Sequence, residues 1–266
     1  MNVLVIDVGG TNVKILASGQ ATPRKFPSGI KMTPQQMVSG VKEIVGTWKY
    51  DAVSIGYPGP VLQNRPVAEP HNLGSGWVGF DFQTAFGRPV KLINDAAMQA
   101  LGSYKTGKML FLGLGTGLGS ALVVNGVVEP MELGHLPYKK GTYETYVGRE
   151  ALEQRGKKKW RRDVVNVVAC LVAALRPDDV VLGGGNVKKL KDLPPQCRAG
   201  DNANAFSGGF RLWEQAGDGP PPLRAGSVSD NQKRRKENGH GSTRGTNQRK
   251  TSSRQTPSLE SSRSSL

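Results

Sequence analysis

The chain has 266 residues, with 36 Lys/Arg against 21 Asp/Glu, a formal net charge of +15 and a hydrophobic share of 37%. That length allows one large domain or two medium ones, and the basic balance favours anionic ligands without naming one. No apolar run approaches membrane length, there is no signal-peptide pattern, and the two cysteines, Cys170 and Cys197, lie outside any paired ligand spacing, which argues against a zinc cluster or disulfide framework and for a reducing, cytoplasmic setting.

In chain order, Asn2 to Ile6 is an apolar run, Asp7-Val8-Gly9-Gly10-Thr11 a turn and Val13 to Leu16 a return strand. Thr33-Pro34 predicts a capped helix start, with Met37, Val41, Ile44, Val45 and Trp48 at helical spacing. Asp51 to Ile55 predicts a buried strand running into the rigid turn Gly56-Tyr57-Pro58-Gly59-Pro60. Arg65 to Gly79 lacks periodicity and predicts a long, functional loop. Pro89 to Ile93 predicts a strand and Ala96 to Tyr104 a helix, which puts Asn94-Asp95 at a strand-to-helix handover, the usual place for ligand groups in open α/β sheets.

Leu110 to Gly126 predicts strand, glycine-rich turn, strand. Gly113, Gly115, Gly117 and Gly119 are costly to order, and a site that needs bare backbone N–H groups against an anion would justify the cost. This hairpin repeats the plan of the first and suggests two related halves facing a shared cleft. Tyr143 to Gln154 and Asp163 to Leu175 predict helices, with Cys170 a buried helix thiol. Val180 to Leu182 predicts a buried strand, Gly183-Gly184-Gly185 a turn into Asn186 to Leu190, and 191–214 a loop holding Cys197, with Phe210, Leu212 and Trp213 docking back on the body. Residues 215–266 carry ten Lys/Arg, four Asp/Glu and no aromatic, and that composition predicts a disordered basic tail. The alternation of strands and helices indicates an α/β protein with an N-terminal lobe, 1–105, and a C-terminal lobe, 106–214.

Four groups carry the candidate chemistry. Asp7 beside a phosphate-cradling turn repels phosphate unless a hard cation lies between, so it reads as a Mg²⁺ ligand, directly or through water; the alternative is a turn aspartate bonding its own backbone. Asp95 reads as a general base that orients a hydroxyl and takes its proton, or as a helix N-cap. Asn94 has donor and acceptor for a sugar hydroxyl. Glu132 and His135 read as a polar pair aimed at a hydroxylated ligand, with a metal pair or a structural histidine as alternatives. Basic clusters at Lys139-Lys140, Lys157 to Arg162 and Lys188 to Lys191 read as solvated faces or as a track for a polyanion.

Taken together, DVGGT at Asp7 to Thr11, ND at Asn94-Asp95, GLGTGLGSAL at Gly113 to Leu122, ELGH at Glu132 to His135 and GGG at Gly183 to Gly185 resemble the ROK family (repressors, open reading frames, kinases) of the actin-like, ribonuclease-H-like sugar kinase superfamily. Within it, GYPGPV at Gly56 to Val61, HNLGSGW at His71 to Trp77 and KKGTYETYVG at Lys139 to Gly148 resemble the polyphosphate glucokinases. The resemblance covers residues 1–214 and implies a two-lobed fold and phosphoryl transfer from polyphosphate or ATP to the 6-hydroxyl of glucose. It implies Asp95 as base; Asn72, Asn94, Glu132, His135 and Glu144 on the sugar; and Gly9, Gly10, Thr11, Gly115, Thr116, Gly117 and Gly184 on phosphate, with Asp7 on Mg²⁺. The cysteine-rich zinc motif of many members has no counterpart at Tyr138 to Glu144, so no zinc is expected. Related proteins are commonly homodimers. Other readings are a kinase for fructose or N-acetylmannosamine and, from another class, a ROK-type regulator. The regulators carry a DNA-binding segment before the first strand, for which Asn2 leaves no room; a variant of that reading uses the basic tail as a nucleic-acid arm, but nucleic acid is not an expected partner, nor, with no run of membrane length, is a membrane.

Overall fold

A computed structural model describes residues 1–214 of the chain. The predicted basic tail lies outside the described residues. The chain runs β1 (Val3–Val8), β2 (Asn12–Ala17), β3 (Arg24–Pro27), α1 (Pro34–Val45), β4 (Ala52–Tyr57), a small hairpin of β5 (Val61–Leu62) and β6 (Arg65–Pro66), α2 (Phe82–Phe86), β7 (Val90–Asn94) and α3 (Asp95–Ser103). It continues through β8 (Lys108–Leu114), β9 (Leu118–Val124), β10 (Val127–Met131), a second small hairpin of β11 (Pro137–Tyr138) and β12 (Gly141–Thr142), α4 (Tyr143–Val147), α5 (Arg149–Leu175), β13 (Asp179–Gly183), β14 (Cys197–Ala199) and α6 (Asn204–Glu214).

Two five-stranded sheets share one plan. The first has the order β3-β2-β1-β4-β7 and the second β10-β9-β8-β13-β14. In each, the opening strand pairs antiparallel with the next and parallel with a later one. Strand periodicity then sorts the side chains. Leu4, Ile6 and Val8 of β1 enter the core that holds Met37, Val38 and Val41 of α1. Val3 and Val5 face the other way, onto Met98 of α3 and Phe206 of α6. Asp7 continues that second row, so alternation alone aims its carboxylate towards α3. In the second sheet, Leu110, Leu112 and Leu114 pack with Trp160, Val164 and Val168 of α5, while Met109 and Phe111 pack with Ala96, Ala97 and Ala100 of α3. α3 thus touches both sheets.

Helix α1 begins as its sequence says. Thr33 accepts from Gln36 N at 3.3 Å and the Gln36 side chain accepts from Thr33 N at 2.9 Å, with Pro34 at the first helical position; such a cap contributes about 1 kcal/mol. Three expectations need correction. Residues 191–214 are not all loop: β14 adds to β13 in parallel, and α6 is a helix whose Phe206, Phe210 and Trp213 share one face. Gly208-Gly209 hid it, because glycine weakens a helical pattern. The predicted helix Tyr143 to Gln154 breaks at Gly148, which is extended (φ −70°, ψ 175°) and brings Arg149 N onto Thr116 O at 3.0 Å. The helix that follows passes a non-helical Gly156 (φ 74°) and then runs unbroken through the lysine cluster, because Trp160 inside that cluster is fully buried and donates to Val147 O at 2.8 Å. Finally, Cys170 is exposed, not buried, and Cys197 lies on β14, where burial pushes its thiol up to about 11.

The contact of α6 with α3 is a glycine contact. A methyl group on Gly208 would overlap Met98 O, and one on Gly102 would overlap Asn204 O. Around it, Arg211 Nη1 donates to the last carbonyls of α3, Leu101 O at 2.7 Å and Tyr104 O at 2.9 Å, and Ser54 Oγ donates to Gly209 O at 2.6 Å. Backbone faces backbone there, so neither partner can move aside. Gly208→Ala is expected to cost about 1–3 kcal/mol in urea unfolding, whereas Gly185→Ala, whose added methyl meets nothing within 4 Å, leaves the midpoint unchanged.

Candidate active site

Asn94 and Asp95 divide the work at the β7–α3 junction. Asn94 is the N-cap: its Oδ1 accepts from Ala96 N at 3.0 Å and Ala97 N at 3.2 Å, and its Nδ2 donates to Gly59 O at 3.1 Å. The cap reading therefore belongs to Asn94, both ends of whose side chain are engaged within the protein. Asp95 is the first helical residue, and its Oδ1 accepts from Ala96 N at 2.7 Å. Burial, then the negative charge of Asp7, push its carboxyl up to about 7; Glu132 adds a smaller push, and the Ala96 N–H works against it. Residues 88 positions apart in the chain are thereby brought within each other's field.

The two glycine turns close the hairpins that meet this helix end through Asp7 of the first and Gly119 of the second. In the first, Gly9 N donates to Asn12 O at 3.1 Å, while Ser28 holds the turn from outside by donating its hydroxyl to Gly9 O at 2.5 Å and its N–H to Thr11 O at 3.0 Å. Asn72 leans on the same turn: a methyl on Gly10 would lie 2.6 Å from its Nδ2. In the second, Gly115 N donates to Gly117 O at 3.1 Å, Asn186 Nδ2 to Gly115 O at 2.9 Å, and Arg149 N to Thr116 O. Gly184 (φ 83°) backs onto this turn so closely that a methyl would come 2.5 Å from Leu114 O. Gly9 and Gly115 thus spend their N–H groups inside their own turns. Among the described residues, the N–H groups of Gly10, Thr11, Thr116 and Gly117 make no hydrogen bond, and these are the donors left for an anion.

The remaining sugar candidates lie on the second sheet's side. Glu132 and His135 are both exposed, with 3.6 Å between carboxylate and Nε2. Glu144 accepts from Leu118 N at 3.0 Å, and a methyl on Gly117 would overlap its carboxylate. Gly119 meets Ala96 across the gap, 2.8 Å from methyl to methyl if it were alanine, which ties the second hairpin to the start of α3.

The model of the ROK family matches residues 3–163, more than half of the chain. The chain belongs to the ROK family. Among its relatives is the polyphosphate glucokinase of Mycobacterium tuberculosis H37Rv, 27% identical over 212 residues, covering 71% of this chain and 80% of that one. The inorganic polyphosphate/ATP-glucomannokinase of Arthrobacter sp. strain KM superposes with a TM-score of 0.69 at 23% identity, over 80% of this chain and 99% of that one. The ROK glucokinase of Streptomyces griseus, solved with glucose and AMPPNP, superposes with a TM-score of 0.66 at 16% identity, over 81% and 100%. The expected α/β sugar kinase fold is thus borne out.

Sequence reasoning missed one charged member of this ROK site. Lys14 donates to Asp7 Oδ2 at 3.1 Å from directly across the β1–β2 pairing. Counting the hairpin register outward from the turn would have found it. The basic clusters separate in space by role. Lys139 turns inward to pair with buried Asp163, and Arg161 Nε donates to Lys189 O at 2.8 Å, joining the second and third clusters. Among the described residues no group of three or more His, Cys, Asp and Glu could hold a metal. A lone carboxylate beside open backbone donors suits an ion carried in on phosphate, since Mg²⁺ is commonly held by one or two carboxylates plus substrate oxygens and water.

The raised carboxyl of Asp95 has a cost in stability. Its folded value lies above the unfolded one, so the cost is absent below about pH 4, grows between about pH 4 and 7, and is complete above that. Asp95→Asn removes it. That variant is expected to melt higher than the parent at pH 8, by an amount on the order of 2–4 kcal/mol, and the gap is expected to close as the pH falls towards 4 in a calorimetric series.

Proposed function

We propose that this chain is a hexose kinase that moves a phosphoryl group from polyphosphate or ATP to the 6-hydroxyl of glucose. The observation that carries the reading is the Asp95 carboxyl, held at the start of α3 within the field of Asp7 and poised near neutrality. A base is most useful when its proton affinity sits near the working pH. Asp95 would accept the proton of the 6-hydroxyl as that oxygen attacks the terminal phosphorus, and the P–O bond to the leaving phosphate would break in line. Gly10 and Thr11 from one side and Thr116 and Gly117 from the other would donate N–H groups to the phosphoryl oxygens, which is charge stabilisation that needs no reorganisation. Asp7, with Lys14 beside it, would hold Mg²⁺ directly or through water; when bound, that ion neutralises the charge of the donor.

Asn72, which leans on the first turn from within the loop that Glu69 ties down through Trp77 N (3.0 Å) and Val78 N (3.3 Å), would bind a sugar hydroxyl. Glu132, His135 and Glu144 would order the remaining hydroxyls, with Asn94, engaged as the helix cap, left only its second amide hydrogen to donate. Closure of the lobes 1–105 and 106–214 would exclude water, which otherwise competes with the sugar as acceptor.

A coupled assay with Mg²⁺ and a panel of glucose, mannose, fructose and N-acetylmannosamine, each with ATP and with polyphosphate, tests the reading. Asp95→Asn is expected to lose turnover by about 10²–10⁴-fold while glucose binding by calorimetry survives; near-normal turnover would end the assignment. In the parent protein, kcat/KM is expected to fall tenfold per pH unit below about pH 7, where the carboxyl becomes protonated.

A further inference from the structure

Among the described residues Asp163 is the most deeply buried carboxylate, with no exposed surface, and it sits on α5. Three groups from two directions converge on it. Lys139 Nζ pairs with Oδ1, Tyr138 Oη donates to the same oxygen at 3.4 Å, and Arg155 Nη2 lies 2.9 Å from Oδ2. The cations are walled by aromatic rings: Lys139 Nζ lies 4.8 Å from the ring centre of Tyr138 and Arg155 lies 4.4 Å from that of Tyr146. Tyr138 and Tyr146 meet edge to face at 5.2 Å. A buried charge is tolerated only when it is paired; here Oδ1 takes Lys139 and Tyr138, while Oδ2 has the Arg155 charge beside it and no hydrogen bond. The pairing draws Lys139 into a left-handed backbone conformation (φ 56°) that β-hairpin tips otherwise give to glycine or asparagine.

What this node holds is the segment that delivers Glu144. Tyr138 and Lys139 belong to the β11–β12 hairpin, which runs directly into α4 through the Thr142 cap. Tyr143 N returns to Leu136 O at 3.0 Å, and Tyr146 Oη accepts from Lys140 N at 3.4 Å. One turn of α4 then places the Glu144 carboxylate on Leu118 N and against Gly117, and its C-terminal end passes Thr116 O to Arg149 N. α4 is only five residues long, too short to hold itself. We infer that buried Asp163, through Lys139, Tyr138 and Arg155, is the positioning residue that fixes α4 and so sets Glu144 and the second glycine turn in register with each other. This deepens the kinase reading and rests on it for the effect on sugar, while the geometry of the anchor stands on the contacts above.

The experiment pairs hydrogen exchange with kinetics on the full chain. Asp163→Asn keeps the shape and removes the charge. The amides of 115–118 and 143–148 are expected to exchange about tenfold faster or more, with β1, β2 and α3 unchanged. The KM for the sugar is expected to rise about tenfold with little change in kcat, and Asp163→Asn combined with Glu144→Gln is expected to be no worse than Glu144→Gln alone, since two members of one chain of contacts do not add. Should Asp163→Asn fail to fold, Lys139→Met, altered at a side chain that is 39% exposed, is expected to give the same regional pattern at smaller amplitude. Unchanged exchange at 115–118 in a folded variant, or fully additive losses in the double variant, would overturn the inference. The exchange arm needs no substrate, so it decides the anchor even if the chain phosphorylates no hexose.

Discussion

One helix has to fit against two sheets, and most of the molecule follows from how that is achieved. α3 is nine residues long and carries alanines towards the second sheet and Met98 towards the first. Small side chains on one side let its axis come close to β9, where Gly119 and Ala96 nearly touch. Glycines on the other side let α6 cross it at backbone contact. A helix held on three sides cannot slide or rotate without losing packing on at least one of them. Its first residue is therefore among the best-fixed positions in the chain, and that residue is Asp95.

Fixing a carboxylate there sets up the electrostatic problem that defines the site. The alternation of β1 points Asp7 at the same place, where its charge adds to burial in raising the proton affinity of Asp95. Lys14, directly opposite Asp7, neutralises one of the pair. Among the described residues no such cation pairs with Asp95, which has a raised proton affinity. The helix N-terminus and the Ala96 N–H temper the effect without removing it. A protein selected for stability alone would place asparagine at residue 95, because asparagine keeps the shape without the charge.

Much of this was legible in the residues because local signals and tertiary demands agreed. The hairpin at Asp7 to Thr11, the one at Gly113 to Leu122, the Thr33 cap and the strand-to-helix step at Asn94-Asp95 all follow from short-range patterning. The readings that failed are those where tertiary contact overrode the local signal. Gly208 and Gly209 look like a loop and are the crossing point of α6; Trp160 sits in a lysine-rich stretch that looks solvated and is fully buried. Cys170 has an apolar sequence neighbourhood, yet it falls on the outer face of α5. Lys14 takes its meaning from the strand pairing that sets it opposite Asp7, and Asp163 from Lys139 and Tyr138 in another element.

The two hairpins also show how a duplicated plan becomes an asymmetric site. Their strands pair in the same way up to the turn, and the position one step before the last pair is Asp7 opposite Lys14 in the first but Gly113 opposite Gly119 in the second. Charge at that position in both hairpins would set like groups against one another across α3 and would hold Ala96 away from β9. Removing the side chains altogether from the second hairpin lets the helix start dock on its backbone, and leaves the first to supply the charges. The second turn then needs support that the first does not. Ser28 and Asn72 suffice for the first, whereas the second, richer in glycine and so more costly to order, is braced by Asn186, Arg149 and Glu144 together. The density of bracing follows the entropy that has to be overcome, which is why α4, the start of α5 and the turn after β13 all converge on Leu110 to Gly126.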